Sequence, residues 1–194
     1  LFRSHTTANT AGNSLTVQAG GATSGATDKN GGMLTLAPGA STNTGYSSVR
    51  IQGQTRAAST RTTDNTLVDR IIVPSEFNLT SGVAGSLFEV ALPTLTGSGG
   101  IIEFSIFATD GTDVQVYSGH VTYALVNKGG VYTKTITEHD QVTALSTGTL
   151  TTSWAATAGT NKVTIAVTAT SSLTPTTFKI RYILKNLGGT AITQ

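Results

Sequence analysis

Polar and apolar side chains alternate along much of the chain after residue 66, as they do in strands that bury one face. The clearest example is the stretch 101–108, in which apolar residues occupy every second position. These residues are Ile102, Phe104, Ile106 and Ala108. Because successive side chains of a strand point to opposite faces, the pattern predicts one face against a core and places Glu103 and Ser105 on the other face.

A turn follows this strand at Asp110-Gly111-Thr112-Asp113, and a second apolar run leads from Val114 to Val126. Glycine takes a positive φ without steric cost, so Asp-Gly between two such runs predicts a hairpin. The two carboxylates of the turn are also compatible with the beginning of a calcium loop. Such a loop needs about six oxygen ligands, and the longer acidic spacing is missing, which favours a plain turn.

Further strands are predicted on both sides of this hairpin. They cover residues 67–73, 87–92 and 131–137, and three later stretches around 150–154, 163–169 and 178–184. Proline residues and the glycine-rich segment 97–100 separate the earlier strands from the hairpin. About six to eight antiparallel strands without an amphipathic helix predict an all-β head over residues 67–194, built as an antiparallel, jelly-roll-like β-sandwich.

The first third of the chain has a different pattern, in which short apolar-polar-apolar units are each followed by a Gly-containing loop. The units are Leu15-Thr16-Val17, Leu34-Thr35-Leu36 and Val49-Arg50-Ile51. Each offers two sizeable apolar side chains, too few to offset the entropy cost of ordering the Gly, Ser and Thr residues between them. The stretch is therefore either disordered or wound around identical copies of the chain.

The regular Leu, Val and Ile pairs favour the second alternative, because disordered tracts usually lack such periodicity. We therefore predict an extended, intertwined β-stalk and connector over residues 1–66. Its contacts between copies are assigned to the apolar residues of the three units. These are Leu15, Val17, Leu34, Leu36, Val49 and Ile51.

Composition narrows the classes of function. Lys and Arg number 12 against 10 Asp and Glu, and no basic cluster stands out, so the chain lacks the electrostatic footprint of a nucleic-acid-binding protein. Only 11% of residues are charged, against about 25% in average domains. There is no Cys, and no apolar run is long enough to predict membrane insertion. The sequence does not begin with Met, and we expect a piece of a longer chain.

Two polar features are candidates for chemistry, and each has a plainer interpretation. Glu138-His139-Asp140 puts carboxylates beside a histidine, as in some hydrolases, but no nucleophile is tied to it and a solvated loop is predicted. His120 follows Gly119 at a predicted bulge. An ion held with symmetry-related copies would call for paired histidines at alternate positions, so a buried, hydrogen-bonded His120 is favoured. We predict no catalytic residue, metal site or cofactor.

Most aromatic residues of the head are assigned to the core by default. Phe107 and Tyr117 fall on the faces opposite Ile106 and Val116, which makes these two the better candidates for an intersubunit or ligand surface. Carbohydrate recognition uses exposed aromatic faces with hydroxyl and amide groups nearby. Any of the head's larger aromatic residues that lies outside the core could therefore stack a sugar.

From Asn65 to Asn186 the order of short motifs resembles a domain of bacteriophage tail-fibre and related virion proteins. The motifs include Leu67-Val68-Asp69-Arg70-Ile71-Ile72-Val73, Gly85-Ser86-Leu87-Phe88-Glu89-Val90, Ala108-Thr109-Asp110-Gly111, Ser118-Gly119-His120-Val121-Thr122-Tyr123-Ala124 and Lys179-Ile180-Arg181-Tyr182. Upstream, Gly12-Asn13-Ser14-Leu15-Thr16-Val17-Gln18-Ala19-Gly20-Gly21 is similar to the Gly-rich stalk that often precedes that domain.

The resemblance implies a homotrimeric, non-enzymatic virion fibre that presents a β-sandwich head for attachment to a host cell. Its implied partners are two further copies, other virion proteins at the N-terminal end, and a host-cell surface glycan or envelope protein. Two alternatives remain open: a capsid head fibre or decoration protein with mainly an assembly role, and a polysaccharide-degrading tailspike. The last would need paired carboxylates in one groove, whereas Asp and Glu are scattered through the head.

Overall fold

The computed structural model describes residues 15–21, 27, 30–40, 42, 46–54 and 67–194. The chain divides into two compact units, Leu1–Ala37 and Pro38–Gln194. The described residues of the first unit form neither helix nor strand, although the Gly32 N–H donates a hydrogen bond of 2.7 Å to the Gly20 carbonyl. Their apolar side chains are largely exposed: 61% for Leu15, 57% for Val17, 50% for Leu34 and 71% for Leu36.

The described part of the second unit consists of strands joined by turns and loops. The strands are β1 (Ser48–Gln54), β2 (Leu67–Pro74), β3 (Phe77–Asn78), β4 (Ala84–Ala91), β5 (Thr96–Thr109), β6 (Val114–Lys128), β7 (Val131–Leu145), β8 (Leu150–Gly159), β9 (Lys162–Ser171), β10 (Thr177–Asn186) and β11 (Ile192–Thr193). The prediction of an all-β chain is therefore confirmed for these residues. None of them belongs to a helix with the length and apolar character needed to cross a membrane.

The strands form two antiparallel sheets. One has the order β1-β2-β10-β5-β6-β7, with β3 pairing β10 beyond the end of β2, and the other has the order β11-β4-β9-β8. The two sheets enclose one core to which both contribute, with Ile102, Phe104 and Ile106 from β5 and Phe88 and Val90 from β4. This is the sandwich-like arrangement that the alternation of apolar residues predicted, whereas the jelly-roll connectivity stays a prediction.

The β5–β6 hairpin determines which side chains face the core. Its loop holds residues 110–113, and Thr109 pairs with Val114, so Ile106 lies opposite Tyr117 and Phe107 lies opposite Val116. Directly opposite residues share a face of the sheet. Tyr117 is consequently buried beside Phe104 at 6% exposure, and the prediction that it faces outward is wrong.

The glycine-rich segment 97–100 was predicted to separate strands, but it is part of β5. Gly100 is buried between β10 and the ring of Tyr123. A Cβ atom there would lie 2.5 Å from the Lys185 carbonyl oxygen and 2.6 Å from the Tyr123 hydroxyl. Glycine at this position is therefore required by close packing and does not interrupt the strand.

Val49 and Ile51 lie in β1, which pairs along its length with β2 of the same chain. The third unit of the predicted stalk therefore belongs to the larger sheet of the second unit. This corrects the predicted boundary between residues 66 and 67, although residues 55–66 of the predicted connector lie outside the described residues. The physical reason is that β2 of the same chain pairs with β1 along its length, so β1 becomes the edge strand of a sheet without the help of another copy.

Candidate binding face

The larger sheet has a face that points away from the core, here called the outer face. Pairing of β10, β5 and β6 arranges its side chains in rows. The first row is Lys179, Phe107 and Val116, and the second is Arg181, Ser105 and Ser118. The third is Ile183, Glu103 and His120, with His139 of β7 beside His120. Residues that are far apart in sequence thus form one continuous surface.

Five residues of the first two rows line a hollow of 360 Å³ on this face. They are Ser105, Phe107, Val116, Lys179 and Arg181, and the depression is called the Phe107 hollow below. Beside it, the Ser118 hydroxyl donates a hydrogen bond of 2.9 Å to the Ser105 hydroxyl across β5 and β6. Because Ser105 and Ser118 are smaller than their neighbours Phe107 and Arg181, the outer face is depressed at this position.

Glu76 holds the two cationic side chains of the hollow. It lies just before β3, where the Arg181 Nε–H donates to its Oε1 atom at 2.5 Å and the Lys179 Nζ lies 2.5 Å from its Oε2 atom. Arg181 also contacts Glu76 through Nη2. The hydrogen bond from Lys179 is the largest influence on the pKa of Glu76 and, with Arg181, holds this pKa below its usual value. The two cations therefore favour the ionised form of Glu76, and the contacts hold the three side chains together.

The other end of the outer face carries a second ion pair and two stacked histidines. Lys185 pairs with Glu103. The rings of His120 and His139 stack with their centroids 5.1 Å apart. His139 Nε2 lies 3.0 Å from the Thr122 hydroxyl. The two contacts of His139 join β6 to β7, the strand at one edge of the sheet.

The structure changes three expectations about this polar cluster. Glu138, His139 and Asp140 lie in strand β7 and not in a loop. The bulge predicted at Gly119 is present between β6 and β7, but the additional residue is in β7, where Asp140 has a φ of 50°. His120 is half-buried, not buried, with its Nδ1 atom 3.3 Å from Asp140 Oδ2. Within the described ranges, no three His, Asp or Glu side chains converge as metal ligands would.

The Asp110-Gly111-Thr112-Asp113 segment is the plain turn that was predicted. Oδ1 of Asp110 accepts hydrogen bonds from the Thr112 and Asp113 N–H groups at 2.9 and 2.8 Å. These backbone contacts, chiefly that with Asp113, lower the pKa of Asp110. The side chain is thus occupied in closing the turn, and Gly111 supplies the positive φ of 98° that the turn requires.

Of the predicted surface aromatic residues, the structure brings only Phe107 to the outer face, where it lines the hollow. Sequence reasoning did not assign Lys179, Arg181, Ser105 or Glu76 to a site. The alternation of Lys179, Arg181 and Lys185 with buried residues of β10 was a usable signal, since it requires a polar outer face. Their position beside Phe107 depends on the pairing of β10 with β5, which no local pattern reveals.

Together these groups offer one half-buried aromatic ring, N–H donors from two cations, serine hydroxyl groups and a carboxylate acceptor. An apolar wall with a few well-placed polar groups is the usual construction of a small-ligand site. Comparisons with protein-family models, curated proteins and solved structures find no match for this chain.

Proposed function

We propose that the chain is a subunit of a homotrimeric bacteriophage virion fibre, with an intertwined β-stalk and a jelly-roll-like head that attaches the particle to a host cell. The observation that carries this proposal is the exposure of the apolar pairs in the first unit. Leu15, Val17, Leu34 and Leu36 are each at least 50% exposed, in a stretch whose described residues form no strand with their own chain. Burial of these apolar side chains by other copies of the chain would explain why they are exposed in a single chain.

Association with two further copies would bury these side chains where the isolated chain does not. Full burial of one Leu or Val side chain is worth about 1.5–3 kcal/mol, and three copies multiply the number of buried pairs. The same association would offset the ordering entropy of the glycine-rich loops between the pairs. The contacts between copies are thus assigned to the pairs at 15–17 and 34–36, since Val49 and Ile51 lie in β1 of the larger sheet.

The second unit supports a role in attachment because it presents a structured polar face with a hollow. Three such heads on one shaft would convert weak single contacts into strong attachment, since the second and third contacts are intramolecular. In the proposed arrangement the particle is extracellular, and other virion proteins hold the N-terminal end of the fibre.

A polysaccharide-degrading role needs one carboxyl group that stays protonated to act as a general acid. The outer face does bring Glu76 and Glu103 to one groove with Arg181. Both carboxylates are paired with cations, and the pKa of Glu76 is lowered, which is the opposite of what a general acid requires. We therefore favour attachment over cleavage as the role of this face.

Sedimentation of the full chain tests the trimer. We expect a mass close to three times 19.9 kDa, and a stable monomer at micromolar concentration would overturn the proposal.

Attachment is tested by adding excess purified protein to host cells before the virus particle is added. Reduced adsorption supports the proposal. Unchanged adsorption, together with antibody labelling of the protein on the capsid wall, would assign it to capsid assembly instead.

A further inference from the structure

We propose that the Phe107 hollow binds a neutral saccharide ring, which stacks on Phe107 and is held through its hydroxyl groups by Arg181, Lys179 and Ser105. This inference rests on the proposed role in attachment and specifies its ligand. It is carried by the arrangement of the hollow, whose lining comes from three neighbouring strands, β10, β5 and β6.

The shape of the Phe107 hollow suits a ring that approaches from solvent. Ser105 and Ser118 lie opposite each other on adjacent strands, and Phe107 and Arg181 are the immediate neighbours of Ser105 on the same face. Small residues bordered by large ones make a shallow depression that is open to solvent. A ring presented at the end of a surface polysaccharide can enter such a depression from outside, whereas a deep and narrow cavity would exclude it.

The second step is the aromatic ring. Phe107 is half-buried and lies beside Val116, so its neighbours hold the side chain at the wall of the hollow. The face of an aromatic ring carries partial negative charge, and the C–H groups of a pyranose carry partial positive charge. An apolar wall of this kind favours a ligand that has one apolar face and one polar edge, as a sugar ring does.

The third step is the set of free hydrogen-bonding groups. Arginine has five N–H donors in a fixed fork and lysine has three. Glu76 accepts from Nε and Nη2 of Arg181 and contacts the Lys179 ammonium group. Donors therefore remain on both cations after Glu76 is bound, and Ser105 adds a hydroxyl group. Neighbouring hydroxyl oxygens of a sugar match adjacent N–H groups of a guanidinium.

The fourth step decides between neutral and acidic sugars. Both cations that line the hollow already share the carboxylate of Glu76. A ligand carboxylate would be attracted by the two cations, but it would have to compete with Glu76 for Arg181 or lie beside Glu76, whose like charge offsets part of that attraction. Neutral hydroxyl groups use the remaining donors and leave this ion-paired group intact. The hollow therefore fits an uncharged hexose better than a uronic or sialic acid.

The test is titration of the 194-residue chain with a panel of neutral gluco-, galacto-, manno- and rhamno-configured oligosaccharides, beside hexuronate and sialate oligosaccharides. Binding is followed by calorimetry and by NMR shifts of residues in β5 and β10. We expect millimolar binding of at least one neutral member. Phe107→Ala and Arg181→Gln should each weaken it by about tenfold or more, and Phe107→Tyr, which keeps the aromatic ring, should retain it.

Two matched controls lie outside the hollow. Val126→Ala shortens another exposed apolar side chain of β6, and Lys185→Gln removes the cation of the other outer-face ion pair. Neither should change the affinity more than twofold. Circular dichroism and thermal unfolding establish that each variant is folded. A variant that loses its fold is replaced by Ser105→Gln, which fills the hollow without removing either Phe107 or Arg181.

Three results would overturn the inference: no binding by any neutral member at millimolar concentration, binding that Phe107→Ala leaves unchanged, or preference for the acidic sugars. These results are separable from failure of the proposed function. If the protein is trimeric and blocks adsorption but ignores the sugars, only the ligand assignment fails. If sugar binding depends on Phe107 while the chain is monomeric and adsorption is unaffected, the fibre proposal fails instead.

Discussion

Tyr123 and Tyr182 both pack against Phe88, but of these two tyrosines Tyr182 alone has hydrogen-bond partners for its hydroxyl group among the described residues. The ring centroids lie 6.0 and 6.3 Å from that of Phe88. Tyr182 donates to the Leu87 carbonyl oxygen at 3.1 Å and accepts from the Gln194 amide at 2.8 Å. The Tyr123 hydroxyl is buried without a partner. Two chemically identical groups in one core thus differ in whether hydrogen bonds compensate for their burial.

We expect Tyr182→Phe to lower the free energy of unfolding by about 1–2 kcal/mol, because it leaves the Leu87 carbonyl and the Gln194 amide without their shared partner. Tyr123→Phe removes a hydroxyl group that gains nothing from the fold, so its effect should be smaller than about 0.5 kcal/mol or stabilising. Urea unfolding at one protein concentration measures both. A larger loss for Tyr123→Phe than for Tyr182→Phe would contradict this assignment.

The same two residues predict instability at high pH. Burial raises the pKa of both phenols, and for Tyr182 the hydrogen bond from Gln194 offsets only part of this effect. A phenol with a raised pKa in the folded state ionises first in the unfolded chain. The stability is therefore complete below a pH of about 10, the unfolded pKa, and falls as the pH rises above it. Urea unfolding should become easier as the pH rises above about 10, and the free energy of unfolding should depend less on pH when both residues are Phe.

The inner face of β5 could be read from the sequence because strict alternation has a single solution: Ile102, Phe104 and Ile106 are all buried. The face of Tyr117 could not, since Val116 and Tyr117 are consecutive and either could be the inward one. The number of residues in the preceding loop decides this, and a shift of one residue exchanges the two faces. Local sequence patterns could not predict the residues of the Phe107 hollow, because these residues are brought together by the pairing of β10 with β5.

The histidines illustrate the same limit. His120 and Glu138-His139-Asp140 were recognised separately, and the absence of a paired histidine argued against a site at His120. The structure places His139 against His120 from the neighbouring strand, with a bulge at Asp140 setting the register. Spacing along one strand cannot reveal a pair that forms between two strands, nor which of the two strands carries the additional residue of a bulge.

Gln115 is expected to be one of the most sensitive polar positions in the head. Its side chain is fully buried, donates to the Thr147 carbonyl oxygen at 2.7 Å and accepts from the Ser171 hydroxyl at 2.7 Å. Gln115→Ala should lower the free energy of unfolding by about 2–4 kcal/mol, because the Thr147 carbonyl and the Ser171 O–H both lose their bond to Gln115 and a cavity opens. Gln141→Ala, at an exposed position of β7, is the control and should change stability by less than about 0.5 kcal/mol.

Gly100→Ala should destabilise the head by about 1–3 kcal/mol, because the new methyl group would meet the Lys185 carbonyl and the Tyr123 hydroxyl. The comparison is Gly97→Ala in the same strand, where the nearest atom would be the Leu125 carbonyl oxygen at 3.3 Å. Adding Tyr123→Phe to Gly100→Ala should recover part of the loss and leave the clash with Lys185. Thermal unfolding of the three variants checks this order, and equal effects at Gly97 and Gly100 would refute it.

The exposed apolar pairs of the first unit should determine the oligomeric state. Replacing Val17 and Leu34 together by Ser removes one apolar group from each pair that the proposed copies would cover, so each trimer would lose six buried side chains. We expect sedimentation to show dissociation to monomers, while circular dichroism shows that the sheets of the second unit persist. Val83→Ser together with Leu95→Ser changes two exposed apolar residues of the second unit and should leave the trimer intact. If the Val17 and Leu34 variant keeps the mass of the unaltered trimer, these pairs are not its contacts.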